Sequence, residues 1–244
     1  FLSDYEGRLD VVTVAGSGEP CLNNRVGDVI HEAKRLGVAP VCVLTNGAPL
    51  LYESVRDALL AADIVIPTLT TPRKRTFRAI HRPVEGILPD AVIAAWLDFK
   101  KRFRGRFVVE VMVVAGFNDK EVEIEALRGA LQAIEPDEVQ LNTVRRPPSD
   151  PAAKPVSLER LKEIGERLGV PFSLPVMRRR GAPVADVAGA IMEMLKRRPC
   201  TAAEVADALG VATNAALKTL EDLRAAGVVS MKRENDRVFY FVED

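Results

Sequence analysis

The chain has 244 residues, of which 48% are hydrophobic and 28% are charged, so it is long enough for one large domain and one small one. No apolar run approaches the roughly 20 residues that a membrane helix needs, which excludes a protein that spans a membrane through helices. The 34 basic and 34 acidic residues cancel, so a nucleic-acid partner would need a local basic patch.

The number and spacing of the cysteines indicate the cellular compartment of the protein. Cys21, Cys42 and Cys200 are odd in number and far apart, which argues against a disulfide framework and predicts a soluble, cytoplasmic protein. They define no metal site. The sequence opens at Phe1 without a methionine or a signal segment, so we expect the natural protein to begin upstream.

Short β-branched runs alternate with amphipathic stretches over the first 176 residues, a pattern that predicts parallel strands joined by crossover helices. The strands are nearly continuous apolar runs, which predicts burial on both faces by flanking helices. Strands are predicted at residues 10–15, 40–45, 63–68, 106–115, 138–142 and 171–176. Helices are predicted at residues 24–36, 50–61, 90–103, 120–134 and 157–168.

Polar turns follow these strands, and ligands of parallel α/β folds bind beyond the carboxyl ends of the strands. The first is Gly16-Ser17-Gly18-Glu19-Pro20, whose glycines would let a ligand approach the backbone and whose carboxylate suits a cationic amine. A glycine-rich turn after a strand is, by itself, most often only the bend into the next helix. The later turns begin at Thr45, Thr68, Gly116 and Asn142.

A second pattern begins after residues 178–183, which predict a hinge. Helices are predicted at 184–196, 202–209 and 214–226, followed by strands at 228–232 and 237–242. This order is typical of a winged helix-turn-helix, with Thr201 capping its second helix. We therefore predict two domains, residues 1–180 and residues 184–244.

Taken in order, the turns and strands of the first domain resemble those of the radical S-adenosylmethionine superfamily. The nearest group is the iron-sulfur oxidoreductases that include wybutosine tRNA-modification enzymes. The resemblance covers about residues 10–145 and implies an α/β fold, a partial (βα)6 TIM-like barrel that lacks its first strand. It is carried by Gly-Ser-Gly-Glu-Pro at 16–20, Thr-Asn-Gly at 45–47, Phe-Arg-Ala-Ile-His-Arg-Pro at 77–83, Glu-Val-Met-Val-Val-Ala-Gly-Phe-Asn-Asp at 110–119 and Val-Gln-Leu-Asn-Thr at 139–143.

The resemblance implies an enzyme in which a 4Fe-4S cluster, reduced by a donor such as ferredoxin or flavodoxin, cleaves S-adenosylmethionine to a 5′-deoxyadenosyl radical. The first turn would receive the methionyl amino group. Where the family often has a serine and an aspartate, this chain has Thr68 and Thr70. The implied cofactor-binding residues are Gly16, Ser17, Gly18, Glu19, Pro20, Thr45, Asn46, Gly47, Thr68, Asn118, Gln140 and Asn142.

The three cluster cysteines of the family are absent. Cys21 and Cys42 cannot replace a loop that supplies three thiolates at short range. In the family that loop precedes the Gly-Ser-Gly-Glu-Pro strand by one βα unit, so we expect a truncated enzyme, inactive as this fragment, and not a natural pseudoenzyme.

A basic segment at residues 73–82 lies on the ligand side of the predicted barrel. Its functional interpretation is an anionic substrate, a phosphate-bearing small molecule or RNA, held by arginine forks. The alternative is a solvated loop. His31 is expected on a helix surface. The candidate substrate-binding residues are Arg73, Arg75, Arg82, Arg145 and Arg146.

Two further hypotheses remain open. A non-catalytic barrel could sense a ligand and signal to a DNA-reading winged helix, but residues 184–244 hold about eight basic and about ten acidic side chains, which favours substrate handling or partner docking over DNA binding. A phosphate-binding barrel enzyme is disfavoured, because Glu19 would repel a phosphate.

Overall fold

The computed structural model describes residues 9–16, 18–144, 150–175, 186–234 and 237–242. The chain divides into two compact units, Phe1–Pro175 and Val176–Asp244. Each unit has its own hydrophobic core. The predicted domain boundary, residues 180–184, lies outside the described residues.

The first unit contains a six-stranded parallel sheet whose strands lie in chain order. Sequential order means that each crossover turns in the same direction, as in a TIM-like barrel, whereas an open doubly wound sheet reverses its order. The predicted α/β class is confirmed. The strands are β1 (Val12–Val14), β2 (Val41–Thr45), β3 (Ile64–Leu69), β4 (Arg106–Val113), β5 (Glu138–Thr143) and β6 (Phe172–Ser173).

Six helices accompany this sheet, and five of them are the predicted ones. The second predicted helix begins later than expected, because Pro49 and its neighbours form a 3-10 turn, Ala48–Leu51, ahead of it. The helices are α1 (Val26–Leu36), α2 (Glu53–Leu59), α3 (Lys74–His81), α4 (Pro89–Arg102), α5 (Glu121–Ile134) and α6 (Leu158–Leu168).

Helix α3 occupies most of the basic segment that the sequence left without a predicted element. Of its eight residues only Phe77 is buried, and a single buried residue gives no helical spacing of apolar side chains from which the sequence could identify a helix. The alternative interpretation of this segment as a loop is therefore wrong for Lys74–His81.

The helices cover one face of the sheet, and the other face stays partly open. Side chains alternate along a strand, so Val43, Val65 and Val109 point into the core that contains Trp96 of α4. The prediction of burial on both faces is wrong, because the opposite face carries polar residues. Its side chains include Leu44, which is 40% exposed, and the half-buried Thr68, Glu110, Gln140 and Asn142.

The second unit contains three helices and a hairpin, in the predicted order. Thr201 begins α8 with a reciprocal capping box with Glu204, as the sequence predicts for Thr201. Assignment of this unit as a winged helix stays a prediction. Its elements are α7 (Val187–Leu195), α8 (Ala202–Leu209), α9 (Thr213–Ala225) and the antiparallel strands β7 (Ser230–Glu234) and β8 (Arg237–Phe241). Across the described residues of both units, we find no helix with the length and apolar character needed to cross a membrane.

Candidate functional site

Glu19 joins the turn after β1 to the turn after β2 at the carboxyl edge of the sheet. One carboxylate oxygen, Oε1, accepts hydrogen bonds from Thr45 Oγ1 at 2.7 Å and from the Cys21 amide at 3.0 Å, and Oε2 accepts one from the Asn46 amide at 2.6 Å. A carboxylate has about four acceptor positions. Three hydrogen bonds from the chain therefore use most of the acceptor capacity of Glu19 and hold the two turns together, and the predicted role of Glu19 and the nearby carbonyls in receiving an amine stays a prediction.

The glycine turn ahead of Glu19 is open to solvent. Gly16 and Gly18 are exposed, and neither has a positive φ. A Cβ added to Gly18 would meet no atom within 4 Å, so the folded chain itself does not require glycine there. Ser17 lies outside the described residues, and Pro20 begins a 3-10 turn, Pro20–Leu22. Gly18 thus leaves free space beside an accessible backbone.

In the turn after β2, Thr45 and Gly47 have structural roles, and Asn46 has a side-chain group available to a ligand. Thr45 is 4% exposed, and its hydroxyl both donates to Glu19 and accepts from the Gly47 amide at 3.1 Å. Gly47 has a φ of 79°, and a Cβ there would lie 2.1 Å from Trp96 Cζ2. Asn46 is exposed, and its Oδ1 accepts from the Ala48 amide at 2.9 Å. Among the described residues the Asn46 Nδ2 has no hydrogen-bond partner, so Asn46 is the ligand candidate of this turn.

A row of polar side chains crosses the open face of strands β3, β4 and β5. Thr68 Oγ1 donates to Glu110 Oε2 at 2.8 Å, and Asn142 Nδ2 donates to Glu110 Oε1 at 2.8 Å. Gln140 lies opposite Glu110 in the sheet, and no hydrogen bond joins its side chain to another described residue. Glu110 was missed as a site residue. The available signal was its acidic side chain in the interior of β4, within the otherwise apolar run Phe107–Val113.

Asn118 has a structural role. It is 0% exposed, its Oδ1 accepts from the Val114 amide at 2.7 Å, and its Nδ2 donates to the carbonyls of Thr70 at 2.7 Å and Met112 at 2.8 Å. Both amide hydrogens are used by the chain, and the predicted contact of Asn118 with a cofactor stays a prediction. Asn118 closes the turns after β3 and β4 against each other.

Two of the predicted substrate arginines pair with carboxylates. Arg73 Nε lies 3.1 Å from Glu123 Oε1, and Arg82 forms an ion pair with Asp150. Arg75 is exposed on α3. Arg145 and Arg146 lie outside the described residues. The basic character of this rim is therefore partly neutralised.

A cavity of about 200 Å³ lies between the ends of β2 and β3 and the helices α3 and α4. His81 is half-buried in its wall, with Nε2 2.7 Å from Thr70 Oγ1, and burial lowers the pKa of its imidazole. The sequence assigned His81 no role, and no local pattern indicated one, because α3 was not identifiable as a helix from its residues. In the structure His81 lies four residues after Phe77, with ring centroids 4.7 Å apart. The walls also include Asn46, Thr68, Phe77, Ile87 and Trp96.

The described cysteines do not fit an iron-sulfur cluster. Cys21, Cys42 and Cys200 are buried in separate places, and burial raises the pKa of Cys21 to about 12 and also raises that of the other two. Cluster iron binds thiolates, which these surroundings disfavour. Within the described part of the chain, no three His, Cys, Asp or Glu side chains are grouped as metal ligands. His31 is exposed on α1, as predicted.

Solved structures similar to this chain define its class of fold. A domain of pyruvate-formate lyase-activating enzyme from Bacteroides vulgatus aligns with a TM-score of 0.55 at 14% identity, over 68% of this chain and 99% of that one. Streptococcus suis SuiB bound to S-adenosylmethionine aligns at 0.53 and 17% identity, over 69% of this chain and 40% of that one. A radical SAM methyltransferase from Sphaerobacter thermophilus aligns at 0.53 and 22% identity, over 68% and 51%. The chain therefore shares an α/β, TIM-like fold with these three structures over about two thirds of its length.

Relatives by sequence carry the name UPF0026. A UPF0026 protein of Synechocystis is 33% identical over 164 residues, 67% of this chain and 58% of that protein, and one of Helicobacter pylori is 27% identical over 242 residues, 98% and 77%. GTPase Obg of Brachyspira hyodysenteriae is 35% identical over 155 residues, which is 64% of this chain but 23% of that protein. The sequence contains no Gly-Lys-Ser or Gly-Lys-Thr, the end of a phosphate-binding loop. No family model matches the chain.

Proposed function

We propose that the first unit is the S-adenosylmethionine-binding part of a radical S-adenosylmethionine iron-sulfur enzyme. The observation that carries this proposal is the alignment of polar groups along one edge and one face of the sheet. Glu19 connects the turns after β1 and β2, and Glu110 connects Thr68 with Asn142 across three strands. Ligands of parallel α/β folds bind at this edge.

The contacts proposed for S-adenosylmethionine are made by hydrogen-bonding groups that have no partner among the described residues. The backbone carbonyls of Gly16 and Gly18 would accept the methionyl ammonium, because Glu19 is largely occupied by the chain. Asn46 and Gln140 have side-chain groups without partners among the described residues, so they are the leading candidates for the carboxylate, ribose or adenine. Thr68 and Asn142 each keep one unused acceptor or donor position for the same ligand.

When bound beside a reduced 4Fe-4S cluster, S-adenosylmethionine supplies a 5′-deoxyadenosyl radical. The cysteines of this chain do not fit that cluster, so the contribution proposed for its residues is binding, orientation and exclusion of water. An anionic or RNA substrate, an electron donor such as ferredoxin or flavodoxin, a cytoplasmic location and kinship with the wybutosine-related group are further parts of the proposal. We also propose that the chain alone is inactive.

For the second unit we propose a winged helix that docks a partner or substrate. The support is its element order and the charge on α9, where Glu221 accepts from Tyr240 Oη at 2.7 Å and pairs with Arg224. A carboxylate on the helix that would enter a DNA groove opposes phosphate contacts, so DNA binding is the less favoured alternative.

Substitution of Gly18 tests the cofactor site. A methyl group at Gly18 meets no chain atom, so Gly18→Ala should fold and raise the free energy of unfolding by about 0.4 to 1 kcal/mol through the unfolded state. The same methyl should weaken S-adenosylmethionine binding about tenfold or more, because it occupies the space proposed for the ligand. Calorimetric titration measures the affinity, and thermal unfolding measures the stability.

Gly129→Ala on α5 is the matched control, because a Cβ there also meets no chain atom within 4 Å. It should raise stability and leave the affinity unchanged. Equal affinity in the wild type and Gly18→Ala, or no binding at all by the wild type, would contradict the proposed site. In a longer protein that carries the cluster ligands, reduction in the presence of S-adenosylmethionine should release 5′-deoxyadenosine.

A further inference from the structure

The cavity beside α3 shares part of its lining with a second concave surface that carries arginine. The second cavity shares Pro83, Val84 and Ile87 with the first, and Arg78 and Arg82 lie in its wall. The walls of the first cavity are mostly apolar, with the side chains of Asn46, Thr70 and His81 as polar groups. The second cavity carries the two arginines. An apolar space with a few polar groups and an adjacent charge is the usual composition of a small-molecule site.

The size and walls of the first cavity fit one planar heteroaromatic ring. Its volume is about 200 Å³, and an apolar cavity of about 150 Å³ already holds a benzene ring. Phe77 and Trp96 supply aromatic walls, whereas Asn46 and the hydrogen-bonded pair of Thr70 and His81 supply donors and acceptors. A ring with nitrogen atoms on its edge would use these groups, which a purely hydrocarbon ring would leave unpaired.

Arg78 is the positive charge of the second cavity that remains available to an anion. It is exposed on α3, and no carboxylate pairs with it among the described residues. The Arg82 side chain is 70% exposed, so its ion pair with Asp150 is a solvated one that a ligand can share. Glu85 also lines this cavity, so the two guanidinium groups stand against two carboxylates, those of Glu85 and Asp150. Guanidinium forks bind phosphate through paired hydrogen bonds.

Arg82 ends α3 in a backbone conformation that allows a clean test of its side chain. Its φ is 45°, a left-handed conformation in which glycine is the usual residue. Helix α5 ends in the same way at Glu135, with a φ of 49°. Glycine at either position keeps this backbone and removes only the side chain.

We propose that the two cavities together bind a mononucleotide, with its base in the cavity between α3 and α4 and its phosphate at Arg78 and Arg82. Asn46 and Thr68 line this cavity and also belong to the proposed cofactor site. The statement that this mononucleotide is the substrate of the enzyme therefore rests on the proposed function. The binding itself does not, since it is measured without S-adenosylmethionine.

Trp96 is the only tryptophan of the chain and lines the first cavity, so its fluorescence reports on occupation of that cavity. We expect AMP to change the Trp96 emission and to bind about tenfold more tightly than adenosine or ribose 5-phosphate, because each of these lacks one of the two recognised groups. Arg82→Gly should keep or raise the melting temperature, since glycine suits the left-handed backbone, and should weaken AMP binding about tenfold. Arg78→Gln should weaken AMP binding similarly.

Glu135→Gly is the matched control, because it makes the same backbone change at the end of α5, which leads to the opposite edge of the sheet. It should leave AMP binding unchanged. The proposal is overturned if AMP leaves the emission unchanged, if adenosine binds as tightly as AMP, or if both arginine variants bind AMP like the wild type. Loss of S-adenosylmethionine binding with AMP binding intact would refute the proposed cofactor site and leave the nucleotide site standing.

Discussion

Asn118 shows how a buried polar side chain can stabilise the carboxyl edge without contacting a ligand. Asn118→Ala would leave the Val114 amide and the Thr70 and Met112 carbonyls without their side-chain partner. We expect the free energy of unfolding to fall by about 3 kcal/mol, since each unsatisfied buried group costs roughly 1 kcal/mol or more. Urea unfolding measures this loss.

The control for this prediction is Asn24→Ala. Asn24 is exposed, so its replacement should change the free energy of unfolding by less than about 0.5 kcal/mol. Equal effects of the two substitutions would mean that the buried hydrogen bonds of Asn118 contribute nothing specific.

At the scale of elements, Asp63 fastens the start of β3 to the start of β2 and to α1. Its Oδ2 accepts from the Val41 amide at 2.8 Å, and its Oδ1 accepts from Lys34 Nζ at 2.5 Å. Burial alone would raise the pKa of the Asp63 carboxyl, but the Lys34 ammonium and the Val41 amide outweigh it and lower this pKa below its usual value. The charged form is therefore the one that stabilises the fold.

Because the pKa of Asp63 is lower in the folded state, its contribution is present above the unfolded value of about 3.9 and is lost as pH falls through the folded value. Asp63→Asn should lower the free energy of unfolding by about 1 kcal/mol at pH 7, and this difference should shrink below about pH 4. Urea unfolding across this pH range tests the expectation. Asp57→Asn removes a more exposed pair, with Arg102, and should have an effect of about 0.5 kcal/mol or less. A constant effect of Asp63→Asn at all pH values would argue against the charged contacts.

Helix α3 depends on a contact that no local pattern indicates. Glu123, at the start of α5, is 4% exposed and accepts from Thr71 Oγ1 at 2.5 Å and from Thr76 Oγ1 at 2.6 Å, beside Arg73. These bonds fix the first turn of α3 from 47 or more residues away along the chain. The helix that lines the proposed nucleotide cavity is thus positioned by a neighbouring βα unit.

At the scale of the whole molecule, the two units have separate cores. Leu127 is 0% exposed in the core of the first unit, and Ile191 is 0% exposed in the core of the second. We expect calorimetry of the whole chain to show two transitions. Leu127→Ala and Ile191→Ala should each destabilise one of them, by about 2 to 5 kcal/mol.

The outcome that would contradict this prediction is a common shift. If either substitution moved both transitions equally, the two units would unfold as one cooperative body. The transition that Leu127→Ala shifts belongs to the first unit, and the transition that Ile191→Ala shifts belongs to the second.

The sequence alone determined the order of the described strands and of the described helices other than α3, because the spacing of apolar residues along an element is a local property that follows from burial of one face. It also located the polar turns after β1 and β2, since Gly16 and Asn46 lie within two residues of the ends of those strands. The position of β6, only Phe172–Ser173, and the start of α2 were less well predicted, because short elements contain too few periods.

Only the tertiary structure decided which polar groups remain available to a ligand. Glu19 and Thr45 are 26 residues apart, and Thr68 and Glu110 are 42 apart, yet each pair shares a hydrogen bond. A side chain's residue type gives its bonding capacity, but the partners that use that capacity come from distant strands. For that reason the sequence named Glu19 and Asn118 as ligand contacts, whereas the fold uses most of the Glu19 carboxylate and the whole Asn118 amide to hold the edge together. Among the described residues, the Asn46 Nδ2 and the Gln140 side chain keep no hydrogen-bond partner.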